Sequence, residues 1–86
     1  MHKVKYIPFP PEIRGIFRGM VTGNGDIVID STRDAATQDH TLRHELAHLV
    51  LSHHDAGAPL QEIEREADAM AARYSVKQLE TMLKEG

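Results

Sequence analysis

His44 and His48 stand four residues apart in the run Leu42-Arg43-His44-Glu45-Leu46-Ala47-His48-Leu49-Val50. On a helix, side chains four apart lie on one face, one turn above the other. Two imidazoles so placed reach a single metal ion. Glu45 follows His44 and is rotated by about 100°, which puts it beside such an ion rather than on it. From there its carboxylate can take a proton from water that zinc has acidified to a pKa of about 7. This is His-Glu-x-x-His chemistry. The plainer reading is a solvated histidine-rich helix, since five of the six histidines fall between positions 40 and 54. Two features weigh against chance: the segment has an amphipathic pattern, and a suitable third ligand follows it.

Three positions compete to be that ligand. His54 sits where a His-Glu-x-x-His-x-x-Gly-x-x-His pattern ends, but that pattern turns on a glycine and position 51 is leucine. His40 extends the stripe His40, His44, His48, yet lies a further turn, about 6 Å, along the axis. It reads as a rim or solvent-facing histidine. The third candidate is a carboxylate in Glu62-Ile63-Glu64-Arg65-Glu66-Ala67-Asp68. Glu64 and Asp68 share a helix face beside the apolar line Ile63, Ala67, Met70, Tyr74. Glu64 can complete two histidines and one carboxylate with a fourth position open. Asp68 can accept the other ring N–H of a ligand histidine and so set its tautomer. Glu66 lies about 200° from Glu64 and reads as a surface charge.

These side chains need elements to hold them. Val4 to Phe9 is a short apolar run ended by Pro10-Pro11, which reads as an edge strand or extended arm. Gly15 to Val21 is a plausible strand, Gly23-Asn24-Gly25-Asp26 a hairpin signal, and Asp26-Ile27-Val28-Ile29-Asp30 a β-branched strand. The expectation is an α+β fold, with a small antiparallel sheet of two to three strands packed on the His-Glu-x-x-His helix and a second, glutamate-bearing helix. The first helix should start near Thr37–Asp39, carry the stripe Leu42, Leu46, Leu49, Val50, and end near Ser52–His53. Asp55 to Pro59 breaks the chain. The second helix starts near Leu60. Ser75 to Lys84 either continues it or forms a third helix through Val76, Leu79, Met82 and Leu83.

At 86 residues the chain is read as one domain, 1–86. A chain this size buries only about 60–65% of the surface it exposes when unfolded, so a staple helps. With no cysteine, the staple is no disulfide and any metal is held by nitrogen and oxygen. The net charge of -3 and the lack of a Lys/Arg cluster speak against nucleic-acid binding. No stretch approaches the ~20 apolar residues of a membrane span, and prolines at 8, 10 and 11 interrupt any signal-peptide core. A soluble cytoplasmic protein is the expectation.

The residues Leu42 to His53, then Glu64-Arg65-Glu66-Ala67-Asp68-Ala69-Met70-Ala71-Ala72, resemble the gluzincin metallopeptidases of ImmA/IrrE type. With the upstream Asp26 to Asp30 strand, the resemblance covers roughly residues 13–74. His-Glu-x-x-His alone is shared by many clans, whereas its combination with Glu-x-Glu-Ala-Asp-x-x-Ala is much more specific. The resemblance implies zinc on His44, His48 and Glu64, with Glu45 as general base and Asp68 behind a ligand. It also implies proteolysis of a protein or peptide, with a helix-turn-helix transcriptional repressor as the regulatory target. Family members are usually longer and often carry a Leu-Met-Pro-like segment where Arg73-Tyr74-Ser75-Val76 stands. In size the chain is closer to the minimal minigluzincins.

A peptide in such a site would pair with an edge strand, taken here as the one ending at Asp30. Tyr74, His53, His54 and Tyr6 are candidates to stabilise the oxyanion, and none is assigned. The competing function is a zinc-stapled protein-binding or regulatory module without peptidase activity, in which metal binding supplies folding energy.

Overall fold

The structure, a computed structural model, describes residues 3–51 and 59–85. In chain order the elements are β1 (Val4–Ile7), α1 (Pro11–Arg14), β2 (Gly19–Val21), β3 (Ile27–Asp30), α2 (Ala35–Val50), α3 (Leu60–Arg73) and α4 (Val76–Glu85). The α+β class, the small sheet and the separate histidine and glutamate helices are as expected. The chain divides after Leu42 into two compact units.

In the first unit the strand order is β1-β3-β2. The β2–β3 pair is antiparallel, and its hairpin is closed by Thr22, whose carbonyl accepts the Gly25 N–H at 2.9 Å. Gly25 has φ 84°, the left-handed turn position that the Asn24-Gly25 signal predicts. The sheet is mixed rather than wholly antiparallel, because β1 runs parallel to β3. Proline-rich Pro8 to Pro11 cannot form a tight hairpin. The chain instead makes one helical turn, α1, with Pro11 at its start, before entering β2. The hairpin leaves the far edge of β3 to β1. It follows that the strand ending at Asp30 is the central one, with both edges paired, and it cannot take an added peptide strand. The edges are β1 and β2.

Every residue of β3 is buried, with Phe9, Thr41 and Leu42 buried in the same unit. Asp30 is buried too, and its surroundings explain how a carboxylate is tolerated there. Its Oδ1 accepts the Phe9 N–H at 3.2 Å, the Thr32 N–H at 3.0 Å and the Thr32 hydroxyl at 2.7 Å. Its Oδ2 faces Arg33 Nε at 3.3 Å. Burial pushes the carboxyl up, but the Thr32 and Phe9 hydrogen bonds and the Arg33 charge outweigh it and bring the pKa down to about 2. The Arg33 guanidinium also donates to the Arg14 carbonyl, and Arg14 Nη2 donates to the Phe9 carbonyl at 3.1 Å. This cluster ties the crossover between β1 and β2 to the end of β3.

α2 starts at Ala35, slightly before the expected Thr37–Asp39. Asp34 is the capping residue, accepting the Thr37 N–H at 3.2 Å and the Thr37 hydroxyl at 2.6 Å. Gly19 lies under this helix. A Cβ there would sit 2.6 Å from Thr41 Cγ2 and 3.0 Å from the Val28 carbonyl oxygen, so only glycine allows β2 and α2 to approach this closely.

In the second unit, Leu46, Ala47, Ala67, Ala71 and Leu79 are buried. α3 and α4 are distinct helices. Tyr74, at the end of α3, is extended with φ -119° and ψ 147°. Ser75 and Gln78 then form a capping box: the Ser75 N–H donates to Gln78 Oε1 at 2.8 Å, and the Gln78 N–H donates to Ser75 Oγ at 3.2 Å. The sequence reading left open whether Ser75 to Lys84 continued the second helix, and this Ser-x-x-Gln cap decides for a separate one. No helix among the described residues is long and apolar enough to cross a membrane.

Candidate metal centre

The second half of α2 and the first turns of α3 build the site, entirely within the second unit. Glu64 of α3 faces His44 and His48, Asp68 faces His44, and the Ala71 carbonyl faces Arg43. Positions advance along α3 as they retreat along α2, so the two helices run antiparallel. Buried Ala47, Ala67 and Ala71 have no bulk to hold the helices apart.

His44 Nε2 lies 3.0 Å from His48 Nε2 and 2.9 Å from Glu64 Oε2. His48 Nε2 lies 3.3 Å from Glu64 Oε1. The two rings meet edge to face at 81°, with centroids 4.6 Å apart. Among the described residues, His44, His48 and Glu64 form the group whose ligand atoms all lie within 4.8 Å of one another. A tetrahedral ion with ligands at about 2.0–2.1 Å spaces them about 3.3 Å apart. The two histidine nitrogens are 3.0 Å apart and each has one Glu64 oxygen at 2.9 or 3.3 Å, near that spacing.

The chemistry of the donors supports the fit. Asp68 Oδ1 lies 2.8 Å from His44 Nδ1. An ionised carboxylate only accepts, so a proton on Nδ1 would pair with Asp68 and leave Nε2 its lone pair for an ion. Two imidazole nitrogens and a carboxylate oxygen then converge on one point. One cation satisfies all three, whereas a shared proton bridges only two. The imidazoles are largely shielded, with His44 and His48 side chains 17% and 18% exposed, while the carboxylates of Glu64 and Asp68 stand 48% and 63% exposed. One side of the site is thus open to solvent, where a water or substrate oxygen can enter.

Glu45, next to His44 on α2, is half-buried. Burial pushes its carboxyl up, the His44 ring opposes that, and the Glu64 carboxylate adds to it. A carboxyl raised in this way binds a proton more readily than an exposed one, as a proton carrier must.

The family model described as the IrrE N-terminal-like domain, a peptidase family, matches residues 2–78. The chain belongs to that family. Searches of curated proteins and of solved structures returned no match. Membership makes the paired helices those of a metallopeptidase-type domain, with His44 and His48 on α2 in His-Glu-x-x-His spacing.

Of the sequence candidates, His44, His48 and Glu64 come together, with Asp68 on His44 and Glu45 alongside. His40 and Glu66 are exposed, and neither belongs to the group of converging ligand atoms. Tyr74 is half-buried, with the Arg73 guanidinium 5.6 Å above its ring. Tyr6 is on exposed β1. His53 and His54 lie outside the described residues. Sequence reasoning missed Arg43, whose Nη1 donates to the Ala71 carbonyl at 2.8 Å. Its one signal was a cation placed just before the first histidine.

Proposed function

We propose that this chain is a zinc-dependent peptidase whose ion is held by His44, His48 and Glu64. The observation that carries the reading is the convergence of His44 Nε2, His48 Nε2 and the Glu64 carboxylate beside a half-buried Glu45. Two neutral imidazoles and one carboxylate are a donor set zinc favours in hydrolytic sites that keep a fourth position open. When bound, the ion supplies Lewis acidity, making water a stronger nucleophile at neutral pH and polarising a carbonyl.

The chain's own groups do the rest. Asp68 orients His44 and holds its tautomer. Glu64 contributes the negative charge that a pair of neutral histidines lacks. Glu45 takes a proton from the attacking water at its carboxylate and returns it to the departing amine nitrogen. The substrate is a protein or peptide, and the family resemblance makes a helix-turn-helix repressor in the cytoplasm the class to try first.

The test pairs metal analysis with cleavage of a repressor-type protein and of casein. Wild type is expected to bind one zinc and cleave. Glu64→Gln is expected to lose metal, and Glu45→Gln to keep the metal while losing cleavage by about 10²–10⁴-fold. A wild-type protein that binds zinc and folds on it, but cleaves no better than Glu45→Gln, would instead be a zinc-stapled binding module.

A further inference from the structure

The carbonyl of Ala71 has an unusual partner, and the reason lies one turn further on. In a continuing helix this oxygen would accept the N–H of residue 75. Here the Ser75 N–H is taken by the Gln78 side chain at 2.8 Å, as part of the cap that starts α4. Tyr74 N–H closes the previous carbonyl, that of Met70, at 3.0 Å. Ala71 is fully buried, where an unmet carbonyl is costly. Arg43 Nη1 supplies the missing donor at 2.8 Å. Its positive charge also meets the negative end of the α3 dipole.

Arg43 immediately precedes His44, so the same short stretch of α2 both grips the end of α3 and presents a metal-ligating ring. Ala71 and Glu64 are about two turns apart on α3, roughly 10 Å. The Arg43–Ala71 contact lies at one end of the helix pair, His44–Asp68 in the middle, and the Glu64–histidine contacts at the other end. A slide of α3 by one residue along its axis, about 1.5 Å, would draw Glu64 away from one or both imidazoles. Asp68 and Glu64 are too exposed to resist that slide by packing. Arg43 bonds to backbone, which moves only with the whole helix.

We propose that Arg43 is a positioning residue of the metal centre: by holding the last turn of α3 through the Ala71 carbonyl, it sets the register at which Glu64 completes the ligand set. The inference rests on the metal site proposed above. Arg43 itself is not one of the converging ligand residues.

The test is zinc affinity by chelator competition, with the visible spectrum of the cobalt(II)-loaded protein as a report on ligand geometry. Arg43→Met keeps the packed stem and loses the donor. Arg43→Gln keeps a polar end that is too short to reach, and serves as the second variant should the first not fold. Arg43→Lys retains both charge and reach. Asp30→Asn destabilises the first unit at the end of β3, adds no bulk against α2, and controls for a general loss of stability. Arg43→Met and Arg43→Gln are expected to weaken zinc binding by about tenfold or more and to alter the cobalt spectrum. Arg43→Lys should recover most of the affinity, and Asp30→Asn should leave affinity and spectrum as in wild type. The proposal is overturned if a folded Arg43→Met or Arg43→Gln protein binds zinc as tightly as wild type, or if Asp30→Asn weakens binding equally. A wild type that binds no stoichiometric zinc would overturn the metal site itself, a separate and recognisable failure.

Discussion

Asp68 Oδ1 lies 2.8 Å from His44 Nδ1 while the other nitrogen of the same ring lies 2.9 Å from Glu64 Oε2. One histidine is thus held between two carboxylates on a single face of α3, one at each ring nitrogen. In the proposed site the first sets the ring's proton and the second shares its ion. Asp68 and Glu64 are both acids at helical spacing, yet the ring divides their roles.

That division makes Asp68→Asn informative. The amide keeps the volume but loses the charge, and it can turn its NH2 towards Nδ1, which favours the wrong tautomer. Zinc affinity measured by chelator competition should fall by about 10–100-fold while the melting temperature of the metal-free protein changes little. Unchanged affinity would mean that the His44 tautomer is set by something else.

Gly19→Ala should destabilise by about 1–3 kcal/mol, the usual range for overpacking. The new methyl would lie 2.6 Å from Thr41 Cγ2, so β2 or α2 must shift. Chemical denaturation reads the loss directly. Gly19→Ala combined with Thr41→Ser, which removes the clashing methyl and keeps the hydroxyl, should recover part of it.

Ser75→Ala removes the side chain that caps α4 and should cost about 0.5–2 kcal/mol. Hydrogen exchange would locate the effect: faster exchange is expected at the Gln78 amide, which donates to Ser75 Oγ at 3.2 Å. Acceleration elsewhere in α4 with none at Gln78 would contradict the assignment.

Asp30 provides a pH dependence. Its folded pKa, about 2, is below the ordinary 3.8. The unfolded chain therefore binds the proton first, and the stabilisation is fully present above about pH 4 and lost as pH falls through 2. Asp34, lowered by the Thr37 hydroxyl and N–H, acts in the same direction. Comparing wild type with Asp30→Asn in acid denaturation isolates the first contribution. The variant should be less stable at neutral pH and should show a shallower loss of stability between pH 4 and 2. An identical slope would show that Asp30 contributes nothing to acid lability.

The local chemistry was legible in the sequence because it depends on short spacings. His44, Glu45 and His48 are placed by helical periodicity, and Asn24-Gly25 by a turn that demands positive φ. Glu64 and Asp68 could be paired because residues four apart share a helix face wherever the helix lies. Three features escaped because they depend on contacts between distant segments. β1 pairs in parallel with β3 because Pro8 to Pro11 bars a hairpin and leaves one edge of β3 to be covered, a matter of sheet order that no strand's own pattern encodes. Asp30 looked like the end of an edge strand, but three donors from Phe9 and Thr32 and the Arg33 charge make it a buried carboxylate. Arg43 drew no reading from its own pattern, because its role appears only where the Ser75 N–H turns to Gln78 and leaves the Ala71 carbonyl for Arg43 to satisfy. Sequence alone thus determined which side chains could hold a metal and on which helices. Tertiary structure decided the register that brings them to one point, because that register is set by backbone groups whose partners lie far along the chain.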